Sequence, residues 1–133
     1  MQPEIHFHPE YHSIIIRLRG IATFQRIVLY LKSLLSHPQW SAGHNVLVDC
    51  RELSVRHVPT RAIYDISDLF KLKGSQIGSG RWTFVMKSRI EYGLARMWQL
   101  LTEDEVRFSS HICMTMQEAL EWLNLPEEMC CEE

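Results

Sequence analysis

The sequence predicts an α/β domain in which about five strands form a mainly parallel sheet, the first strand antiparallel, with four helices packed on it. Two observations carry this. Segments rich in β-branched residues alternate with segments of 3.6-residue apolar spacing, in the order β, β, α, β, α, β, α, β, α, which implies parallel pairing through right-handed crossovers. The run His44 to Leu53, HNVLVDCREL, contains a short apolar strand, Val46 to Val48, that ends abruptly on Asp49. Ligands of open α/β sheets meet the chain beyond the carboxyl ends of strands, so an acid at that point marks a working rim.

Each element has its own signal. Strands are predicted around Ile5 to His8 and Ser13 to Arg19, where Ile14, Ile15 and Ile16 form a β-branched run, Pro9 separates the two strands and Gly20 ends the second. Phe24, Ile27, Val28, Leu31, Leu34 and Leu35 mark one face of a helix capped by Thr23 and closed by His37-Pro38. Trp40 is predicted to pack over its end. A second helix opens with Thr60 as cap and turns Ala62, Ile63, Ile66, Leu69 and Phe70 inward. GSQIGSG, Gly74 to Gly80, precedes a strand instead of following one, the wrong context for a phosphate loop, and is read as a flexible connection. Arg81 to Met86 suits a strand covered on both faces. A third helix runs from about Arg89, burying Ile90, Leu94, Met97, Trp98 and Leu101, with Gly93 allowing close approach to a neighbour. The last strand lies within Val106 to Cys113, and T-x-x-E at Thr115 to Glu118 opens a final helix that Asn124 and Pro126 stop. The predicted core is Ile14, Ile16, Phe24, Ile27, Leu31, Val46, Val48, Ile66, Phe84, Leu94, Met97, Phe108 and Leu120. Residues 1–126 form one domain and 127–133 an acidic tail.

Composition limits the function. Fourteen Lys plus Arg against sixteen Asp plus Glu in 133 residues leave a formal charge of -2, without the basic excess of a nucleic-acid binder. No apolar run approaches the ~18 residues of a membrane span, and the first residues lack a signal-peptide pattern, so a soluble, cytoplasmic protein is expected. The four cysteines make no CxxC pair, and Cys130 and Cys131 are adjacent in the tail, which argues against a disulfide framework. Cys50 and Cys113 end apolar segments and are expected as small buried hydrophobes.

Three stretches together resemble the SpoIIAA-like family, a branch of the STAS and CRAL-TRIO-like α/β proteins found mostly in bacteria. They are the first helix with its HPQW exit, the strand motif VLVDCREL, and YGLARMWQLLTED followed by EALEWL. The resemblance implies the α/β fold described above. STAS antagonists carry a phosphorylatable Ser or Thr after the central strand in a D-S-x-G-like context. The matching residues here, Asp49-Cys50-Arg51-Glu52, lack that Ser and Gly, which leaves Ser54 and Thr60 as displaced phosphoacceptor candidates. CRAL-TRIO domains hold lipids between helices and sheet, which implies a hydrophobic ligand pocket as an alternative.

The candidate rim follows from two adjacent parallel strands. Asp49, Arg51, Glu52, His57 and Thr60 follow the first, and Lys87, Ser88, Arg89, Glu91 and Tyr92 follow the second. Mixed charge with helix N-termini suits an anion, a polar head group or a protein partner. His57 beside Asp49 would make an acid–base pair, but no nucleophile elbow accompanies it. His6, His8 and His12 sit near the start of the chain without Cys or acidic ligands at diagnostic spacing, so no metal and no cofactor is expected. Trp40, Trp82, Trp98 and Trp122 with six Met can line an amphipathic cavity, although core packing accounts for them. The leading expectation is a non-enzymatic binding or regulatory domain acting at this rim. A lipid or fatty-acid carrier and a small hydrolase or transferase using Asp49 or His57 are the alternatives. An apolar first strand at a sheet edge and a third helix carrying Tyr92 and Trp98 further predict a homodimer through one or the other, weakened by acid through His6, His8 and His12.

Overall fold

β1 (Gln2–His8) and β2 (Ser13–Ile21) form an antiparallel hairpin, closed by a tight turn at Pro9–Tyr11 and by His12 in the left-handed region at φ 51°. In this computed structural model, which describes residues 1–131 with side chains through Met129, α1 (Phe24–Leu35) follows, then β3 (Asn45–Ser54) and α2 (Thr60–Leu72). A short α3 (Gly74–Ile77), β4 (Arg81–Val85), α4 (Arg89–Thr102), β5 (Ser109–Cys113) and α5 (Met116–Trp122) complete the domain. Glu132 and Glu133 of the acidic tail lie outside the described residues. Within that segment Met129 is buried with Leu120 and Leu125 under α5.

The strands lie in the order β1-β2-β3-β4-β5, and every pair after the first is parallel. Because each right-handed crossover advances one strand in the same direction, α1, α2 and α4 share one face. Residues alternate accordingly along the strands. Ile14, Ile16, Val46, Val48, Trp82 and Ile112 face these three helices, while Leu47, Val85 and Cys113 face α5. On the back face α5 and the segment through Met129 pack over Leu47, Val85 and Cys113.

Several expectations need correction. β3 does not end at Asp49: it continues to Ser54, paired with β2 throughout, because the β2 residues Arg17, Arg19 and Ile21 supply partners for it. Phe24, Ile27, Phe84, Leu94 and Met97 are half-buried, and of these Ile27, Phe84 and Leu94 border an incompletely filled interior. Ile90 is 78% exposed. The buried stripe of α4 instead passes through Trp98 and Thr102, about 80–120° around the helix from Ile90, where Thr102 Oγ1 and Ser67 Oγ of α2 meet at 2.8 Å. Gly93 faces open space and no neighbour. Thr60 is the first helical residue, with Pro59 in the capping position and no side-chain cap. The glycine-rich connection is packed instead of loose: Ile77 is fully buried, and any Cβ at Gly78 or Gly80 would strike the backbone of Gly43 and His44. Trp40 is pinned to this connection, its Nε1 donating to Gln76 O at 3.0 Å.

Three caps agree with the sequence or its pattern. Thr23, Ser88 and Thr115 accept from the N–H groups of Arg26, Glu91 and Glu118. Ser88 to Glu91 is a second S-x-x-E box that the sequence reading passed over.

Candidate functional site

The predicted rim residues divide between the two faces of the sheet. Between Arg17↔Asp49 and Arg19↔Glu52 the register shifts by one residue, a β-bulge in β3. A bulge turns two neighbouring residues toward one side, and here Arg51 and Glu52 both meet partners on the back face. Asp49 is the hub. Arg51 Nε and Nη2 donate to its two carboxylate oxygens at 2.9 Å each, the Arg51 backbone N–H adds a bond at 3.1 Å, and Arg17 Nε lies 3.5 Å away. Burial pushes the Asp49 carboxyl up, but the Arg51 hydrogen bonds and the two guanidinium charges outweigh it and hold the group below the usual carboxylate range. Arg19 pairs with Glu52 at 3.0 Å, and Glu4 lies 3.9 Å from both Arg17 and Arg19. Among the described residues three guanidinium groups here meet three carboxylates, so their formal charges cancel.

His57 does not join Asp49. About 16 Å of extended chain separates Asp49 from Ser54 before the turn that carries His57, which is exposed. Ser54 is half-buried, its carbonyl accepting from Ala22 N at 2.9 Å, while Thr60 is exposed at the start of α2. Lys87 and Arg89 are exposed, and Tyr92 is partly buried against the helix-side core.

Glu91 points the other way, toward the interior beneath the helices. There α1, α2 and α4 do not close completely over the sheet, and a cavity of about 170 Å³ remains. Ile16, Val48, Cys50, Trp82 and Phe84 form its floor, and Tyr30, Leu31, Ile66, Leu94, Ala95 and Trp98 belong to its walls. It reaches the carboxyl ends of β2, β3 and β4 at Leu18, Leu53 and Met86. The lining is almost wholly apolar, and in its residues Tyr30 Oη, Trp82 Nε1 and Trp98 Nε1 are buried with no hydrogen-bond partner among the described residues. Such donors each cost about 1–3 kcal/mol when left unmatched. Glu91, also in the wall, accepts from Ser88 Oγ at 3.2 Å. Burial, with the Asp49 and Glu91 charges, pushes the Cys50 thiol up to about 12, and burial, with Cys50 nearby, raises the Tyr30 phenol.

A third group lies on the back face under α5. His111 Nε2, Cys113 Sγ and a Glu118 carboxylate oxygen lie within 4.8 Å of one another. From local sequence Cys113 is a small buried hydrophobe and Glu118 the partner of a capping box. The alternation of His111 and Cys113 on one strand face, followed by an acid in the next first turn, was the available signal.

This arrangement of sheet, helices and back-face helix defines a SpoIIAA-like α/β domain. Among solved structures it resembles an uncharacterized protein of the DUF3478 family from Shewanella loihica PV-4 with a SpoIIAA-like fold, at 18% sequence identity and a TM-score of 0.56, over 92% of each chain. At that identity the likeness concerns the fold alone. No protein-family profile matches the sequence, and no curated protein matches it. Among the described residues, no helix is long and apolar enough to cross a membrane.

Proposed function

We propose that this chain is a non-enzymatic binding domain that takes a small, neutral amphipathic molecule into the cavity beneath α1, α2 and α4, with its polar end toward the carboxyl rim. The observation that carries this reading is the cavity itself, almost wholly apolar in its lining, with Tyr30, Trp82 and Trp98 among its residues and Glu91 in its wall. Size selects among ligands. A dry apolar cavity of about 150 Å³ holds benzene, so about 170 Å³ admits one ring or a short chain, and a long acyl chain requires the helices to part. Charge selects further. Glu91 in the wall disfavours a carboxylate and the apolar lining favours an uncharged molecule, which argues against a free fatty acid. The hydrolase alternative would rest on the exposed His57 alone, because Asp49 is paired with Arg17 and Arg51 on the opposite face.

Trp82 and Trp98 fluorescence, together with native mass spectrometry of freshly purified protein, tests the reading. Indole and hexan-2-one should quench or shift the emission saturably while hexanoate does not. Ala95→Leu, which fills the cavity, should weaken indole binding about tenfold or more with unchanged circular dichroism. Glu91→Gln should admit hexanoate. Equal binding of all three probes to wild type and Ala95→Leu, or no binding of any, would remove the proposal.

A further inference from the structure

We infer that His111, Cys113 and Glu118 form a divalent-metal site of the zinc class on the back face of the sheet, where β5 passes into α5. The inference is independent of the cavity, which lies across the sheet. His111 and Cys113 occupy positions i and i+2 of β5 and therefore share one face. Thr115 Oγ1 accepts from Glu118 N at 3.1 Å, and this cap sets the first turn of α5 so that the Glu118 carboxylate reaches back to His111 Nε2 at 2.8 Å. The three ligand atoms already lie within 4.8 Å of one another. A tetrahedral zinc with bonds of about 2.0–2.3 Å holds its ligand atoms about 3.3–3.6 Å apart. His111 and Glu118 already lie inside that spacing, so closing the cluster takes a movement of about an ångström between this pair and Cys113 Sγ.

Donor chemistry narrows the ion. One imidazole, one thiolate and one carboxylate exclude calcium and magnesium, which take oxygen ligands, and suit zinc or its neighbours cobalt and nickel. The charges balance, since a dication against one thiolate and one carboxylate is neutral in a half-buried place. Binding releases the Cys113 proton to solvent as the sulfur–metal bond forms. The surroundings hold the ligands in place. The His111 ring stacks on Trp122 at 5.1 Å and 16°, and the Arg81 guanidinium lies 4.3 Å from the Trp122 ring centroid. Thr83 Oγ1 sits 3.7 Å from Cys113 Sγ, placed to donate to the thiolate. Solvent completes the fourth position on the Glu118 side.

Cobalt is the probe, because thiolate coordination produces a charge-transfer band in the near ultraviolet and tetrahedral cobalt has intense visible bands. The full chain, stripped with chelator under reducing conditions, should develop both on titration with cobalt chloride, and zinc should displace them stoichiometrically. Cys113→Ser should abolish the charge-transfer band. His111→Gln and Glu118→Gln should each weaken cobalt binding by more than the about 10–100-fold that loss of an outer-shell partner costs. Cys130→Ser with Cys131→Ser should leave the band unchanged. Absence of a thiolate band at millimolar cobalt overturns the inference, as does a band lost with the Cys130 and Cys131 pair or retained in folded Cys113→Ser. If Cys113→Ser does not fold, Glu118→Gln decides, since the residue is exposed and unchanged affinity there overturns the site.

Discussion

Asp49 is 3% exposed and yet carries its charge, because Arg51 chelates both of its oxygens and Arg17 stands behind it. Removing the charge withdraws the carboxylate that both guanidinium groups face. Asp49→Asn is expected to destabilise the domain by about 2 kcal/mol near neutral pH, less than the about 3–5 of a fully buried pair because Arg51 is half-exposed. The pH dependence follows from the depressed carboxyl. Its stabilisation is complete above the ordinary value of 3.8 and is lost as pH falls through the lower folded value. Urea unfolding of wild type and Asp49→Asn should therefore converge in acid; a gap independent of pH would show that charge is not what was lost. Cys50 makes the opposite case, a group kept neutral by burial. With its thiol pushed up to about 12, it should resist iodoacetamide at about pH 8 and react on unfolding, read as modification of the Cys50 peptide by mass spectrometry.

At the scale of elements, α4 shows how packing sets the rotation of a helix whose existence is written in its spacing. Trp98 and Thr102 turn inward, Ile90 turns out, and Gly93 is left facing solvent. An exposed glycine in a helix interior costs stability without serving a contact. Gly93→Ala should raise stability by about 0.5–1 kcal/mol in thermal or denaturant unfolding, and a loss would mean that Gly93 meets something not seen on this face. In α1, Leu31 is buried but borders the cavity, so its side chain already lacks part of its neighbourhood. Leu31→Ala should cost about 2 kcal/mol, at the low end of the range for buried leucine, whereas a change below about 0.5 would place it outside the core.

For the whole molecule, the consequence of an unfilled interior is linkage between binding and stability. A ligand that enters the folded cavity and not the unfolded chain adds about 2.7 kcal/mol at 100 times its dissociation constant. Indole at that excess should raise the melting temperature of wild type and leave that of Ala95→Leu unmoved. Equal shifts in both would assign the effect to nonspecific contact. The two faces should respond separately. Ligand in the cavity acts on α1, α2 and α4, while a metal at β5 and α5 acts across the sheet, so their stabilisations are expected to add.

The alternation of β-branched runs with 3.6-residue stripes was enough to specify the α/β class, the antiparallel first strand and four of the helices, because local periodicity and capping residues such as Thr23 and Thr115 act over a few neighbouring positions. The same local signals misjudged the end of β3, since Asp49 to Ser54 is held extended by partners on β2 more than 30 residues away. They placed a rim where strands end but could not tell that Asp49 and Glu91 lie on opposite faces. That separation depends on strand parity and a bulge whose register only the paired neighbour defines. The cavity was likewise invisible, because a void is a property of how three helices meet a sheet and not of any one segment. His111, Cys113 and Glu118 were legible as residues, yet their convergence rests on α5 folding back over β5, a contact that tertiary structure alone decides.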